Sequence, residues 1–253
     1  MGNNKNLKFL VFDIWGDFGH FKKFYTTSSP LTFCIPPPTA VYGILSAIVG
    51  LDKQEYLKHI NSKNTLLGLK ILNPVSKIRV SFNYIDTKNS NSFNLIKNRT
   101  QIKTEILKNP KYRLIVNHEN IELFEDLINK VKNKENVYTV SLGLANLLAN
   151  FKFVGVFDGE FLPISEILNS VILSANVQSI DFKDGQRYTK EKLPINMSVE
   201  RIVDSYKNVI VETQGREIYG KFSNCYKLSD GTIFSPYNIL WEIQTSIPIV
   251  ESF

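Results

Sequence analysis

Residues 7–14, LKFLVFDI, constrain the fold of this chain more than any other segment, because almost every position is apolar. A strand with one face in water alternates between apolar and polar residues, whereas a strand covered on both faces is apolar throughout. The sequence therefore predicts a strand in the middle of a sheet. Trp15 and Gly16 follow, and a long loop rich in aromatic and basic residues comes next.

The loop ends at three consecutive prolines, residues 36–38, and apolar residues then recur at helical spacing. Proline suits the first turn of a helix, and threonine is a favoured N-cap residue. This pattern predicts a helix over about residues 40–49 that Thr39 caps. Free backbone N–H groups at its start, together with the Thr39 hydroxyl, suit an anion such as a phosphate; a simply well-capped core helix is the alternative.

The rest of the first 160 residues contains patterns that predict further strands and a second helix. In chain order they are strands at 66–72 and 78–84, a helix that begins after Asn120, and strands at 137–142 and 151–157. The order β, α, β, β, α, β predicts an α+β fold with the split βαβ arrangement of ferredoxin-like and RRM-like domains. On the strand at 78–84, Phe82 and Tyr84 share a face with Ile78 and Val80, which favours packing in the core.

The last third of the chain has weaker signals. Beyond Phe161 only short strands are predicted, at 209–211 and 217–219, with loops between them. We therefore divide the chain into residues 1–160, which hold the predicted RRM-like elements, and residues 161–253, a small β-rich elaboration or lobe.

Positive charge is concentrated rather than spread. The chain has a net charge of +6 and a pI of about 9.1, which is compatible with a polyanionic partner. Residues 97–113 hold six basic residues against one acid, Glu105, whereas beyond Lys227 the chain carries acids and no base.

Composition argues against membrane and disulfide-rich classes. The longest apolar stretch, residues 39–51, is shorter than the roughly 20 residues that span a bilayer, and the polar N-terminus lacks a signal-peptide core. Cys34 and Cys225 lie far apart without metal spacing. We expect no membrane association and a reducing cytoplasm.

Signals for catalysis are sparse. His20, His59 and His118 show neither metal-ligand spacing nor an evident carboxylate partner. Nucleotide-binding, nucleophile-elbow and zinc-protease motifs are absent from the sequence. We predict no metal and no cofactor, although a metal-independent ribonuclease that needs only an acid and a base stays open.

Two segments combine the side chains that bind RNA. The loop HFKKFYTT at residues 20–27 interleaves cations, which suit phosphates, with rings, which suit bases; the alternative is a surface loop whose phenylalanines anchor in the core. Segment 97–113, KNRTQIKTEILKNPKYR, has polar and cationic residues suited to phosphate and sugar contacts; the alternative is an exposed charged hairpin.

Together these segments resemble the CRISPR-associated Cas family five proteins, RAMP-superfamily subunits of type I Cascade complexes. The resemblance is carried by LKFLVFDIWGDFGHFKKF followed by TTSSPLTFCIPPPTAVYGILSAIVGL, and by RTQIKTEILKNPKYRLIV. It covers the first 160 residues well and the remainder loosely. Length and the elaborated C-terminal part look most like type I-B members.

The resemblance implies a palm with a β-hairpin thumb near residues 86–117, binding to the 5′ handle of the CRISPR RNA, and contacts with the backbone and large subunits of Cascade. It assigns RNA binding to two groups of residues: Phe21, Lys22, Lys23, Phe24, Thr39 and Tyr42 in the first motif, and Arg99, Thr100, Gln101, Lys103 and Arg113 in the thumb.

One branch of the family cleaves precursor RNA with a tyrosine and an adjacent lysine and histidine in the thumb region. Here the nearest match is Asn117-His118, which lacks the lysine. We therefore expect a subunit that binds RNA without cutting it. A metal-independent endoribonuclease and a protein-only assembly module are the alternatives.

Overall fold

The computed structural model describes residues 7–85 and 99–238. The helices are α1 (Pro38–Val49), α2 (Tyr56–His59) and α3 (Ile121–Asn133). The strands are β1 (Leu7–Trp15), β2 (Phe18–Gly19), β3 (Thr65–Ile71), β4 (Lys77–Ile85), β5 (Arg99–Lys108), β6 (Lys111–His118), β7 (Asn150–Leu168), β8 (Ile172–Leu173), β9 (Val177–Asp181), β10 (Tyr188–Met197), β11 (Val203–Glu212), β12 (Ile218–Leu228) and β13 (Ile233–Phe234). The described chain is a strand-rich mixture of helices and sheet.

Strand β1 lies inside the largest sheet. The strand order is β13-β12-β7-β1-β6-β3, with β9 paired to β12, and β1 is antiparallel to both β6 and β7. Phe9, Leu10, Val11 and Phe12 are all buried. The predicted central strand is therefore confirmed, and its apolar character on both faces follows from cover on both sides.

Helices α1 and α3 contribute to the main core over one face of this sheet, where Phe12, Tyr42 and Leu114 are buried. The prediction of a helix after Asn120 is confirmed, since the Leu123 N–H donates to Asn120 Oδ1 at 3.0 Å. Helix α1 also forms, but it begins at Pro38 and no side chain caps it. Thr39 lies inside the first turn, so its assignment as N-cap was wrong.

The other face is covered because the sheet curls. Phe9 of β1 packs against Tyr226 and Phe234 from the far strands, with ring centroids 5.3 Å and 5.1 Å away. A Cβ atom at Gly68 would lie 2.4 Å from the Phe234 ring. Glycine at this position in β3 therefore permits the ends of the sheet to approach each other.

Strands β4 and β5 form a hairpin, which with β2 makes a separate three-stranded sheet. The residues that connect the two strands, 86–98, are part of the predicted thumb and lie outside the described residues. The rest of the segment 86–117 divides between β5 in the hairpin and β6 in the large sheet. Phe82 is only half-buried and Tyr84 is exposed, so their assignment to the core was wrong: burial falls off towards the far end of the hairpin.

The C-terminal region has longer strands than the sequence indicated. Strands β10, β11 and β12 have 10, 10 and 11 residues, and β8, β10 and β11 form a small sheet. The proposed boundary at residue 160 falls within β7, which continues to Leu168 and pairs with β12.

The strand predicted at 137–142 was wrong. The segment forms an isolated bridge between Ser141 and Leu148. It also contacts the C-terminal end of α1, where the N–H groups of Val137 and Tyr138 donate to the carbonyls of Ile48 and Ala47. The last carbonyls of a helix have no partner within it, and this loop supplies one.

Candidate nucleic-acid interface

Residues 20–33, which we call the basic loop, form an irregular hairpin rather than an open loop. The Lys23 N–H donates to the Leu31 carbonyl, and the Phe33 N–H donates to the Phe21 carbonyl, both at 2.8 Å. Phe21 itself is buried in the main core. Its ring has no face open to a base, so the assignment of Phe21 to RNA stacking was wrong: the ring anchors the loop.

Lys23 points inwards and is paired. Its ammonium lies 2.9 Å from Glu191 Oε1, and both side chains are largely buried. The other oxygen of Glu191 accepts the Cys34 N–H at 2.9 Å. Burial lowers the pKa of Lys23, but the hydrogen bond and charge of Glu191 outweigh it and raise the pKa overall. Because this charge is compensated inside the protein, Lys23 fixes the loop to β10 rather than presenting a cation to phosphate.

Next to this pair, aromatic rings reach the surface. Phe24 and Tyr25 are 49% and 60% exposed, and the Phe24 ring packs 5.2 Å from Tyr25 and 4.7 Å from Tyr206 of β11. The Lys192 ammonium of β10 lies 5.7 Å from the centre of the Tyr206 ring. We call Phe24, Tyr25 and Tyr206 the aromatic cluster. Exposed rings with adjacent cations are what single-stranded nucleic acids bind.

Two exposed cations accompany the aromatic cluster. Lys22 lies two residues before Phe24 in the sequence, and Lys192 lies over the Tyr206 ring. Sequence reasoning identified Lys22 and Phe24 but missed Tyr206 and Lys192, which lie more than 160 residues further along the chain. The pairing of β10 with β11 places Lys192 and Tyr206 in one sheet, and the Lys23–Glu191 ion pair and the Phe24–Tyr206 contact join that sheet to the basic loop.

The two residues at the start of α1 that were assigned to RNA binding differ in their exposure to solvent. Tyr42 is fully buried, and its hydroxyl accepts a hydrogen bond from Asn238 Nδ2 at 3.1 Å. Burial raises the pKa of Tyr42 far above its ordinary value. The assignment of Tyr42 to RNA binding was therefore wrong, whereas Thr39 is partly exposed. The start of the helix is itself covered, since the Tyr237 hydroxyl donates to the Pro36 carbonyl.

The hairpin presents polar groups on both faces. Gln101 and Lys103 lie opposite Asn83 and Ser81 on one face, and both are exposed. Thr100 is also exposed but lies on the other face, opposite Tyr84. Arg99 is the first residue of β5, and its side chain lies outside the described part. Gln101 and Lys103 therefore form an exposed polar patch on one face of this hairpin.

Arg113 lies in β6 rather than in the hairpin. Its guanidinium forms two hydrogen bonds with the carboxylate of Asp13, at 2.7 Å and 3.2 Å. The hydrogen bond to Asp13 is the main reason that the pKa of Arg113 is raised. This fork-to-fork pair with Asp13 uses two of the donors that a phosphate would otherwise engage, so Arg113 is held on β6 and is only partly exposed.

The basic loop and the base of the hairpin are joined. The Glu105 N–H of β5 donates to the Pro30 carbonyl, the Thr32 N–H donates to Glu105 Oε1, and Lys77 of β4 donates to the Thr32 carbonyl. The two predicted segments therefore form one continuous surface. The exposed members of the predicted set on this surface are Lys22, Phe24, Gln101 and Lys103, whereas Thr100 is exposed on the opposite face of the hairpin.

Among residues 7–85 and 99–238, no three His, Cys, Asp or Glu side chains come together in a way that could hold a metal ion. In that same part of the chain, no helix has the length and apolar character needed to cross a membrane. Cys34 and Cys225 are both buried and unbonded to each other.

The fold is shared with CRISPR-associated proteins. No family model and no curated protein matches the sequence. A CRISPR protein from Archaeoglobus fulgidus superposes with a TM-score of 0.53 at 16% identity, over 91% of this chain and 99% of its own length. A chain of a CRISPR RNA-guided surveillance complex superposes with a TM-score of 0.51 at 8% identity, over 81% of this chain and 90% of its own length. At these identities the similarity is one of fold.

Proposed function

We propose that this chain is a non-catalytic RNA-binding subunit of a type I CRISPR surveillance complex, and that it binds the 5′ handle of the CRISPR RNA. The observation that carries the proposal is the continuous surface formed by the aromatic cluster and the hairpin, on a fold shared with CRISPR-associated proteins. The resemblance of the sequence motifs to Cas family five, and of the chain to its type I-B members, also supports the proposal.

The topology supports a ferredoxin-like palm. The order β7-β1-β6-β3 and the two intervening helices, α1 and α3, correspond to the split βαβ arrangement. The hairpin β4–β5 is then the thumb, inserted between the second and third palm strands, and the C-terminal strands extend the palm sheet beyond β7.

The roles follow from exposure and charge. Phe24 and Tyr25 stack on bases of the handle, while Lys22 and Lys192 neutralise its phosphates. The hairpin side chains Gln101 and Lys103 bind the backbone from the other side of the surface. Lys23 acts indirectly, because its ion pair with Glu191 holds the aromatic cluster in place.

Two contacts support binding without cleavage. Both nitrogens of His118 are occupied by the backbone: Nδ1 accepts the Asn120 N–H at 3.0 Å, and Nε2 donates to the His59 carbonyl at 2.9 Å. Tyr42, the tyrosine of the first motif, is buried and bonded to Asn238. A general acid or base must reach the proton that it transfers.

The remaining surface suits protein partners. Ile164 and Ile167 of β7 and Phe182 after β9 are large apolar side chains exposed to solvent. We assign such side chains to contacts with the backbone and large subunits of the complex, in the cytoplasm.

The test is to purify the chain with its complex and sequence the 5′ ends of the RNA that copurifies. A defined repeat-derived 5′ end is expected. The same repeat RNA, incubated with the isolated chain without divalent metal, is expected to stay intact. Specific cuts abolished by His118→Ala would support the endoribonuclease instead. Absence of copurifying RNA, with partner affinity indifferent to salt, would support a protein-only assembly module.

A further inference from the structure

A large groove is lined in part by Ser205 and Lys207 of β11, the residues on either side of Tyr206 in the sequence. Its volume is about 1320 Å³, and its apolar lining comes from β3, α3, β7 and β10: Leu66, Ile121, Phe124, Ile128, Val156 and Ile195. Small-molecule pockets usually occupy ~300–1,000 Å³, so this groove suits a segment of polypeptide better than a metabolite.

The described chain leaves at the rim of this groove. The Tyr237 N–H donates to the Leu67 carbonyl of β3 at 3.0 Å, and the buried side chain of Asn238 donates to the Thr65 carbonyl at 2.6 Å. The chain therefore passes along the free edge of β3, towards the start of that strand. Residues 62–65 and Asn238 all line the groove.

The sequence that follows Asn238 has the composition of a groove occupant. Residues 239–253, ILWEIQTSIPIVESF, are mainly apolar and carry Glu242 and Glu251 but no base. The charged residues that line the groove are Lys8, Lys63, Glu119, Glu125 and Lys207. The groove thus has a small excess of positive charge, opposite to that of the segment.

We propose that residues 239–253 fill this groove of the same molecule, with their apolar side chains packed against Ile121, Phe124 and Val156. The proposal accounts for Ile121, which is 70% exposed on the wall of the groove. Attachment at Asn238 favours this occupant over a second copy or a separate protein, because a short connection gives an effective concentration in the millimolar range.

The test uses Trp241, since the full chain has only one other tryptophan, Trp15. In full-length Trp15→Phe protein, the emission of Trp241 is expected to be blue-shifted from that of free tryptophan and several-fold less quenched by acrylamide, at all protein concentrations. The difference between wild-type and Trp241→Phe spectra gives the same information if Trp15→Phe fails to fold.

Adding Ile121→Glu to this protein is expected to shift the emission to the red and restore quenching, because a carboxylate enters the apolar wall and repels the acidic segment. Glutamate in the first turn of α3 is compatible with the helix. The matched control is Ile202→Glu, at an isoleucine that is 68% exposed and outside the groove, and no change is expected there.

Three results would overturn the proposal. Emission like that of free tryptophan would mean that the segment is in solvent. A blue shift that Ile121→Glu leaves unchanged would place it on another surface. Protection that grows with protein concentration would show that the groove receives the segment of a second copy.

Discussion

The basic loop and the hairpin both carry positive charge, but the fold holds them differently. The basic loop is anchored from within, since Phe21 is buried in the core and Lys23 is paired with Glu191. Within its described residues, the hairpin is anchored at its base, where Glu105 contacts Pro30 and Thr32. Its farther described residues Tyr84 and Gln101 are exposed on opposite faces.

This difference separates two kinds of RNA contact. Aromatic rings on an anchored loop lose little conformational freedom when they bind RNA. They therefore contribute affinity and set the position of a nucleobase. Exposed lysine on a hairpin neutralises phosphate without fixing its position, and its contribution falls as salt rises. We therefore expect the loop to set where the RNA binds and the hairpin to set how strongly binding depends on salt.

The largest effect is expected for the anchor of the loop. Glu191→Ala leaves the largely buried ammonium of Lys23 and the N–H of Cys34 without their partner. Removing one member of a buried pair costs ~3–5 kcal/mol. Urea unfolding of the variant should show a loss of unfolding free energy in that range.

The control is a second pair with the same separation between the charged atoms. Lys58 and Glu55 are also 2.9 Å apart, but both are exposed on the surface. Exposed pairs contribute ~0–1 kcal/mol, so Glu55→Ala should change the unfolding free energy little. Equal losses for the two variants would mean that burial of the Lys23–Glu191 pair does not anchor the loop.

A smaller effect is expected for stacking. Phe24→Ala removes the ring at the centre of the aromatic cluster, and loss of one stacked base costs ~1–3 kcal/mol. Binding of handle RNA, measured by fluorescence anisotropy, should weaken by roughly 5- to 150-fold. The matched control is Phe182→Ala, an exposed phenylalanine that packs 5.3 Å from Tyr188; if it weakens RNA binding equally, the aromatic cluster is not the stacking site.

The local elements of this fold were predictable from local signals. The apolar run of β1, the proline entry of α1 and the Asn120 cap of α3 each depend on neighbours within a few residues. The open ring and cation of the loop, Phe24 and Lys22, were also found, because alternation of charged and aromatic residues is visible in the sequence.

The contacts that decide which residues are free were not predictable. Lys22 and Lys23 are adjacent and chemically identical, but one is exposed and the other is paired with Glu191, 168 residues away. Arg113 lies in a basic segment, but its partner Asp13 is on β1, 100 residues earlier. Pairing between distant strands decides these cases, and no signal in a single sequence encodes it.

On the hairpin, we expect a substitution to remove a contact with phosphate rather than to change the position of the RNA. Lys103→Ala should lower the slope of log affinity against log salt by about one unit, as expected for one lost phosphate contact, and affinities should converge at high salt. Lys132→Ala, at an exposed lysine on α3, serves as the control. An unchanged slope for Lys103→Ala would exclude the hairpin from the RNA surface.

The smallest effect concerns the histidine that joins the two regions. His20 of the loop donates from Nδ1 to the Glu105 carbonyl of the hairpin at 2.7 Å. Burial lowers the pKa of His20 below its ordinary value of 6.5, and this outweighs the opposing effect of the bond to Glu105. The unfolded chain therefore takes up a proton at a higher pH than the folded one does.

Stability should consequently decline as pH falls through 6.5, because the proton stabilises the unfolded chain first. The decline should end once the pH is below the lowered pKa of the folded state. His20→Gln keeps a donor but cannot titrate, so the urea midpoint of the variant should fall less than that of the wild type between about pH 8 and about pH 5. Parallel pH profiles would show that the junction between loop and hairpin does not depend on a neutral His20.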